Sequence, residues 1–479
     1  MSMLKKLVKG GLFGVGAYAG YAFLTAIVML RLKKPRPKNE LKPKSLLSYQ
    51  GKSENDGPDT AAFFDSQDLL LTLHLNLIGT AKETIKFANF SIEDGTVSDL
   101  FYGKLLQAAD KGVNVYILFD GKGHNLVGIS NEKYWALMAH PNIHLAFYEE
   151  FDLLRPWTWQ NRMHDKFLIS DDRYVLTGGV NLEDSFFVED HEDADYDRDV
   201  VIINDDPERF DESVLKDYSE YFEAMWYHPF THVRANYILD RYKDVADETY
   251  RSLLSILNEA EKTNHYGAST EIDWDKHTFP TKKVSLVTNP IQRWKKDPYI
   301  LATLGQLFEE AEQKIIFQSP YVVPGKEMQH YASLDNLKAD VIIATNSLAA
   351  SNNFFGVAGH RKHLKQLSRD ASQLYHFQGE GYIHAKAYAI DGRLSLIGSF
   401  NYDPRSAFLS QENLVIIDSA ELTAALEDSI KGIAKKSIPY KKDGVHLVED
   451  TAGKVQVPWY KKMIARLIYI LMYPLEDLV

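Results

Sequence analysis

The sequence predicts an α/β protein with two duplicated domains, each a mixed sheet flanked by helices, preceded by an N-terminal transmembrane helix. Strand-like apolar runs alternate with helical segments along most of the chain, which is typical of this fold class. The run HDKFLISDDRYVLTGGVN, from His164 to Asn181, recurs in pattern as HAKAYAIDGRLSLIGSFN, from His384 to Asn401. A duplicated fold with pseudo-twofold symmetry follows from this repeat.

The N-terminal element is an uncharged apolar segment from Gly10 to Leu30. As a helix it would be about 30 Å long, which is enough to cross the hydrocarbon core of a bilayer. A cleaved signal peptide is the alternative. Basic residues follow the segment directly, without a small-residue cleavage site, and this favours a retained span. More basic residues follow the segment than precede it, so the large soluble part is expected in the cytoplasm of a bacterium, behind a single pass through the inner membrane.

Six segments then divide the chain. In each domain, three strand-like runs precede the repeated motif. In the first domain these are Thr84–Ile92, Val113–Asp120 and Ile143–Tyr148, and in the second Lys314–Val323, Ala339–Ser347 and Gln373–Gln378. The predicted segments are an anchor with its basic flank (1–40), a linker (41–62), domain 1 (63–235), a polar and irregular connection (236–281), domain 2 (282–455) and an amphipathic tail (456–479).

Composition narrows the function classes. The chain has 479 residues, a net charge of -12, and no cysteine. The absence of cysteine excludes disulfides, thiolate zinc sites and a cysteine nucleophile. The acidic balance argues against a nucleic-acid partner, which usually requires a basic surface.

The repeated motif carries the chemistry. Its His and Lys are two positions apart, so on a strand they share one face. Two such motifs across a pseudo-twofold axis place two His, two Lys and two Asn in one site, which suits transfer at a phosphodiester: His164, Lys166, Asn181, His384, Lys386 and Asn401. One imidazole attacks phosphorus, giving a phosphohistidine, and the other donates and accepts the proton. The lysines and amides hold the phosphate oxygens, so neither a metal nor a cofactor is expected.

Carboxylates are expected to orient the two imidazoles. Glu412 stands just before the apolar run that begins at Leu414, and Asp199 stands just before the run that begins at Val200. These two residues are predicted as the orienting partners. Asp171 and Asp391 are predicted instead to be structural turn residues between short strands.

The doubled motif, H-x-K-x4-D-x6-G-[GS]-x-N, resembles the signature of the phospholipase D superfamily. LIGSFNYDPRS from Leu396, ATNSLAAS from Ala344 and RMHDKFLISDDRYVLTGGVN from Arg162 resemble bacterial cardiolipin synthases more narrowly, in particular the type-C branch. The resemblance implies a membrane phosphatidyltransferase that makes cardiolipin from phosphatidylglycerol and a second phospholipid, for which phosphatidylethanolamine is one candidate. It also implies that His164 is the nucleophile, that His384 is the acid and base, and that Ser399 belongs to the catalytic set.

Three questions stay open from the residues. A hydrolase of the same chemistry would use water as acceptor; it would be a phospholipase D that hydrolyses phospholipids or a nuclease, and the membrane anchor and the acidic charge argue against the nuclease. A non-catalytic membrane scaffold is disfavoured by the intact motifs. The acidic run VEDHEDADYDRD, from Val188 to Asp199, is interpreted as a solvated loop rather than a calcium or magnesium site. The tail that begins at Trp459 is either packed on the protein core or in contact with the membrane surface.

Overall fold

A long apolar helix begins the chain in the computed structural model, which describes residues 2–52, 57–124, 126, 131–187, 195–351, 353–379, 381–440 and 457–472. Helix α1 (Ser2–Phe23) continues through a π-helical turn, Leu24–Val28, into α2 (Met29–Leu32). The stretch Gly11–Leu32 is long and apolar enough to cross a membrane by length and composition, and its apolar window is 11% buried. This exposure agrees with the predicted span.

The segment after the helix is packed on the protein, which differs from the predicted linker at 41–62. It contains α3 (Lys38–Leu41) and a 3₁₀ turn at Leu46–Tyr49. The side chains of Leu41, Leu46 and Tyr49 are buried in the hydrophobic core of the second half. The segment is polar in overall composition, which predicts a linker, but the burial of these three apolar side chains packs it against the protein.

The first half is a nine-stranded mixed sheet in the order β10-β4-β3-β2-β6-β7-β9-β1-β11. Strands β2, β3 and β4 run parallel to one another, and the other pairs in this sheet are antiparallel. The strands of this half are β1 (Asp59–Phe64), β2 (Thr84–Asn89), β3 (Asn114–Asp120), β4 (Ile143–Tyr148), β5 (Arg162–Met163), β6 (Phe167–Ser170), β7 (Tyr174–Gly178), β8 (Asp195–Tyr196), β9 (Asp199–Asn204), β10 (Thr231–Val233) and β11 (Thr278–Pro280). Its helices are α4 (Gln67–Thr80), α5 (Thr96–Asp110), α6 (Glu132–Ala139), α7 (Val214–Trp226) and α8 (Lys243–Thr263).

The connection predicted as irregular, 236–281, is in fact largely helical. Its main element is α8, which contacts α5 and α6 of the first half. Leu253 and Leu257 are buried there, while most of the other α8 side chains are exposed. A narrow apolar stripe on a highly charged helix is a weak sequence signal, which explains the difference.

The second half repeats the same sheet in the order β12-β20-β18-β17-β13-β14-β15-β21. Reading the first sheet from β1 to β10 gives the equivalent strands in the same sequence, with β11 as an addition at the edge. The strands are β12 (Lys283–Thr288), β13 (Lys314–Gln318), β14 (Asp340–Asn346), β15 (Gln373–Phe377), β16 (Tyr382–Ile383), β17 (Ala387–Ile390), β18 (Leu394–Gly398), β19 (Ser410–Gln411), β20 (Asn413–Asp418) and β21 (Ser437–Tyr440). The helices are α9 (Tyr299–Glu310), α10 (Phe354–Asp370), α11 (Pro404–Phe408), α12 (Ala420–Ala434) and α13 (Trp459–Met472). The predicted duplicated α/β fold is confirmed.

The two halves share one hydrophobic cluster. It combines side chains of the first sheet, such as Phe167 and Val200, with side chains of the second, such as Ile316 and Val415. Two short parallel pairs also cross the boundary, β5 with β19 and β8 with β16. The halves therefore form a continuous body, and the crossing strands lie where the two motifs meet.

Two aspartates close equivalent hairpins at the distal ends of the motif strands. Asp171 and Asp391 both have a φ of 52°, in the left-handed region. The Asp171 carboxylate accepts hydrogen bonds from the backbone N–H groups of Lys82, Glu83 and Thr84. The Asp391 carboxylate accepts the equivalent three bonds from residues 312–314. Both residues hold turns and strand ends together, as the sequence predicts.

The C-terminal helix α13 packs one face against α10 and leaves another face exposed. Ala465 is buried, whereas Met463 and Leu467 are both 57% exposed. Packing on the protein, one of the two predicted alternatives, is therefore present on one face, and contact of the exposed face with a membrane surface stays a prediction. Residues 473–479 lie outside the described residues.

Candidate active site

Each motif histidine follows a short strand that pairs with the other half of the chain. The backbone N–H of His164, after β5, donates to the carbonyl of Gln411 at 2.8 Å. The backbone N–H of His384, after β16, donates to the carbonyl of Tyr196, also at 2.8 Å. The next residues along those partner strands are Glu412 and Asp197. The β-pairing therefore delivers a carboxylate from one half to the histidine of the other.

His164 is held by the second half of the chain. Its Nδ1 lies 3.0 Å from Oε2 of Glu412, whose side chain is fully buried. The Lys166 ammonium donates to the backbone carbonyl of His164 at 2.7 Å. The Phe90 ring stands edge-on to the imidazole, with 4.8 Å between the ring centroids. These contacts fix the ring plane and occupy Nδ1, so Nε2 is the ring nitrogen available to a substrate.

His384 is held in the equivalent way by the first half. Its Nδ1 donates to Oδ2 of Asp197 at 2.7 Å, and the Asp197 side chain is fully buried. Lys386 Nζ lies 2.7 Å from Nδ1 and 3.0 Å from Nε2 of the same ring. The Phe186 ring packs edge-on at 5.0 Å between centroids.

The carboxylate that contacts His384 is Asp197, and not Asp199 as the sequence predicts. Strand register explains the difference. Asp199 pairs with Gly178, while Leu414 pairs with the equivalent Gly398, so Asp199 corresponds to Leu414. Counting two residues back gives Asp197 as the equivalent of Glu412. Asp199 is buried inside β9, and burial, followed by the neighbouring Asp197 charge, raises its pKa well above the usual value.

Ser399 lies behind Glu412. Its hydroxyl donates to Oε2 of Glu412 at 2.5 Å and accepts from the backbone N–H of Asn413 at 3.1 Å. Its equivalent in the first half is Gly179, where a Cβ atom would lie 2.4 Å from Oδ2 of Asp197. The residue at this motif position, Ser399 or Gly179, therefore contacts the orienting carboxyl group and fixes its position.

The two motif asparagines are oriented alike. Asn181 and Asn401 are 9% and 7% exposed. Within the described part of the chain, the side-chain oxygen of each is buried without a hydrogen-bond partner. Two symmetric, unsatisfied amides at a cavity wall are expected to meet polar atoms of a ligand.

One cavity of about 890 Å³ contains the reactive groups. Both motif histidines, both asparagines and Glu412 line it. Lys166 and Lys386 are 3% and 1% exposed beneath the histidines. The structure thus brings eight of the nine predicted site residues into one place, and Asp199 is the exception.

Burial dominates the electrostatics of this site. Burial, and then the ammonium groups of Lys166 and Lys386, hold the pKa of His164 well below its usual value. Burial, and then Lys386, lower the pKa of His384 to about 3, although Asp197 opposes this shift. Both imidazoles are therefore neutral at neutral pH.

Burial also shifts the pKa values of the lysines and carboxyl groups of the site. Burial, and then mutual repulsion, lower the pKa of Lys166 to about 7, and burial lowers that of Lys386 to about 8. Burial raises the pKa of Glu412 to about 8. Burial acts to raise the pKa of Asp197 as well, but the Lys386 ammonium and the bond from His384 outweigh it, and the pKa is lowered. The two orienting groups thus differ, because the pKa of Asp197 is lowered whereas that of Glu412 is raised.

Sequence reasoning missed Asp197, Phe90 and Phe186. Asp197 belongs to the acidic run from Val188 to Asp199, where the sequence alone does not distinguish it from the neighbouring acidic residues. Residues 188–194 of that run lie outside the described residues. Among the residues that the structure describes, no group of three His, Asp or Glu side chains is arranged to hold a metal ion.

Comparison with known proteins places this geometry in a family. The model of the family described as "Cardiolipin synthase, PLD-like domain" matches residues 74–226 and 304–434, which together make up more than half of the chain. Cardiolipin synthase C of Escherichia coli (strain K12) is 26% identical over 389 residues, covering 72% of this chain and 79% of that protein. Cardiolipin synthase A of Cronobacter sakazakii is 23% identical over 424 residues, covering 88% of this chain and 76% of that protein.

A solved structure has the same fold. The crystal structure of phosphatidylserine synthase from Haemophilus influenzae matches with a TM-score of 0.61 and 17% identity. The match covers 92% of this chain and 97% of that one. The two family matches each include one repeated motif, and the fold similarity spans both halves. This chain therefore belongs to the cardiolipin synthase family of proteins with phospholipase D-like domains.

Proposed function

We propose that this protein is a membrane-bound phosphatidyltransferase that joins phosphatidylglycerol to a second phospholipid, forming cardiolipin through a phosphohistidine intermediate. The observation that carries the proposal is the pair of histidines in one cavity, each held by a carboxyl group from the opposite half. The family and its cardiolipin synthase relatives support phospholipids as the substrate class. The apolar helix Gly11–Leu32 supports a single membrane pass, which we place in the bacterial inner membrane with the catalytic halves on the cytoplasmic side.

In the first step, Nε2 of His164 attacks the phosphorus of phosphatidylglycerol. A P–N bond forms and the P–O bond to the glycerol head breaks, leaving phosphatidyl on the imidazole. The neutral state of His164 supports this role, because only an unprotonated nitrogen carries a lone pair for attack. Lys166, Lys386 and the two motif asparagines hold the non-bridging oxygens while negative charge builds up.

His384 supplies the proton to the departing glycerol oxygen. The protein groups alone hold the pKa of His384 too low for this, but a bound phosphodiester anion raises the pKa of a neighbouring imidazole. Asp197 holds Nδ1 and stabilises the imidazolium. In the second step, His384 takes the proton from the hydroxyl of the incoming lipid, whose oxygen displaces His164 from phosphorus.

Hydrolysis is the second candidate, because water in place of the lipid alcohol would make the enzyme a phospholipase D. The same cavity serves both reactions, so product analysis has to separate them. Purified protein is incubated with labelled phosphatidylglycerol, with and without phosphatidylethanolamine, and the lipids are resolved. Labelled cardiolipin supports transfer, whereas phosphatidic acid as the main product would reject it in favour of hydrolysis.

The division of labour is tested by trapping the intermediate. With a nitrophenyl phosphodiester the leaving group needs no proton, so the His384→Ala variant should accumulate a phospho-adduct on His164. The His164→Ala variant should accumulate none. Mass spectrometry of the peptides distinguishes the outcomes, and an adduct on His384 in the His164→Ala variant would reverse the assignment.

A further inference from the structure

A second cavity, of about 710 Å³, lies between α10 and α13. We call it the α10–α13 cleft. It is separate from the reaction cavity, but the two share neighbouring walls. Ser347 and Leu348 line the cleft, and the next two residues line the reaction cavity. On α13, Lys461 faces the reaction cavity while Lys462 faces the cleft.

The cleft is strongly basic, although the chain as a whole is acidic. Arg361 and Lys362 reach it from α10, and Lys462 and Arg466 reach it from α13. The described residues that line it include no aspartate or glutamate. Arg361, Lys462 and Arg466, three cations from two facing helices, therefore favour an anion, and arginine in particular suits the oxygens of a phosphodiester.

An apolar stripe runs along α13 beside the cleft. Tyr460, Met463, Leu467 and Ile470 recur at the three- to four-residue spacing of one helix face. They are 46%, 57%, 57% and 61% exposed. Trp459 begins the helix and is 74% exposed. A helix with exposed aromatic and aliphatic residues on one face and basic residues on another is typical of the membrane interface.

We propose that the α10–α13 cleft binds the phosphodiester head group of an anionic bilayer phospholipid, with the acyl chains along the apolar stripe of α13. A phosphodiester joined to acyl chains fits both features at once, whereas a free phosphate would use only the cations. The same chain carries a candidate membrane span, so a bilayer is an available source of such a ligand. The site is distinct from the catalytic one, and the proposal does not depend on which reaction the enzyme performs.

The test uses the full-length protein in mixed vesicles with a photoactivatable phosphatidylglycerol, followed by peptide mapping. A photoactivatable phosphatidylcholine is the zwitterionic comparison. Labelling of peptides from α10 and α13 is expected with the anionic probe, with displacement by unlabelled phosphatidylglycerol. The triple variant Arg361→Gln, Lys462→Gln, Arg466→Gln should weaken this labelling on the order of a hundredfold in apparent affinity, since each interfacial charge contributes roughly a fivefold factor.

Matched controls keep the test specific. The triple variant Lys326→Gln, Lys338→Gln, Lys365→Gln removes the same charge from exposed sites in the same half and should label like the wild type. The single variant Arg466→Gln changes one exposed side chain and guards against misfolding of the triple variant. A smaller but clear loss with the single variant supports the site.

Four results would overturn the proposal. Equal labelling by the zwitterionic probe would show that the head-group charge is not recognised. Displacement by inorganic phosphate as effective as by phosphatidylglycerol would show a free-anion site. Equal loss in the control triple variant would show a general charge effect. Finally, a change in oligomeric mass, with labelling unchanged, in the Met463→Ser, Leu467→Ser variant would assign the apolar stripe to a second copy of the chain.

Discussion

Replacing Asp197 with asparagine should disable proton transfer by His384 while leaving the fold intact. The carboxylate is fully buried and its Oδ2 accepts from Nδ1 of His384 at 2.7 Å. Asparagine has nearly the same volume, but its amide carries no charge. It can also present N–H to Nδ1 and so favour the wrong imidazole tautomer. The change therefore removes orientation and charge without leaving a cavity.

The expected loss of activity follows from the role of Asp197 in orienting His384. Removing the carboxylate that orients a catalytic imidazole lowers kcat by about 10²–10⁴, or about 3–5 kcal/mol in activation free energy. Asp197 also raises the pKa of His384, against burial and Lys386. Without the carboxylate this pKa falls further, so the pH profile for transfer from phosphatidylglycerol should move to lower pH.

The matched control is Asp199→Asn, the same change two residues along the strand. Burial raises the pKa of the Asp199 carboxyl group well above its usual value, and among the described contacts this group is not hydrogen-bonded to either motif histidine, so the variant should keep most of its activity. Turnover is measured with labelled phosphatidylglycerol in mixed micelles, and in parallel with a nitrophenyl phosphodiester. The Asp197→Asn change should slow formation of the covalent adduct from the nitrophenyl ester less than it slows turnover of phosphatidylglycerol. If Asp199→Asn is the more damaging change, the register argument is wrong.

Four further predictions follow from individual contacts. Asp391→Ala removes a carboxylate that accepts three backbone hydrogen bonds, and should cost about 2–3 kcal/mol of unfolding free energy in denaturant titrations; a loss below the error of the method would contradict this. In kcat/KM measurements, activity should fall as pH rises through about 7 to 8, because Lys166 and Lys386 lose their protons there; a flat profile up to pH 10 would contradict the phosphate-holding role. Burial lowers the pKa of His74 to about 4 in the folded protein, against 6.5 in the unfolded chain, so the folded state keeps its full stability above pH 6.5 and loses part of it as pH falls towards 4. In unfolding experiments across this pH range, the His74→Phe variant should lose less stability than the wild type, by up to about 3 kcal/mol. Chelators should leave turnover unchanged because the two lysines carry the phosphate charge, and restoration of lost activity by a divalent ion alone would refute this.

The sheet strands could be predicted because their signals are local. Continuous apolar runs gave Ile143–Tyr148 with the bounds that are found, and the other five runs matched their strands to within five residues at each end. Such runs are buried on both faces and leave few alternatives. Helix α8 could not be predicted in the same way, since its contact with the first half rests on a few buried side chains among many charged ones.

The site itself was only partly predictable. The motif repeats at fixed spacing, so its His, Lys and Asn residues could be assigned from the sequence. The orienting carboxylates come from outside the motif, and their positions depend on strand register across the domain boundary. Glu412 was found because no other acid stands near it, whereas Asp197 is one of several acids in a row. A pairing between distant strands leaves no local pattern to distinguish Asp197 from Asp199.

This dependence across the boundary gives a physical reason for two motifs in one chain. Glu412 of the second half holds His164 of the first, and Asp197 of the first half holds His384 of the second. Either half alone would leave its own histidine without an orienting group. The pairs β5–β19 and β8–β16 also join backbone to backbone beside these contacts, so assembly of the halves and assembly of the site are the same event. Covalent linkage of the halves keeps their effective concentration high. It also lets the two carboxyl groups differ, one with a lowered pKa and one with a raised pKa. Two chemically distinct histidines, one to attack and one to move protons, are what such an asymmetry can provide.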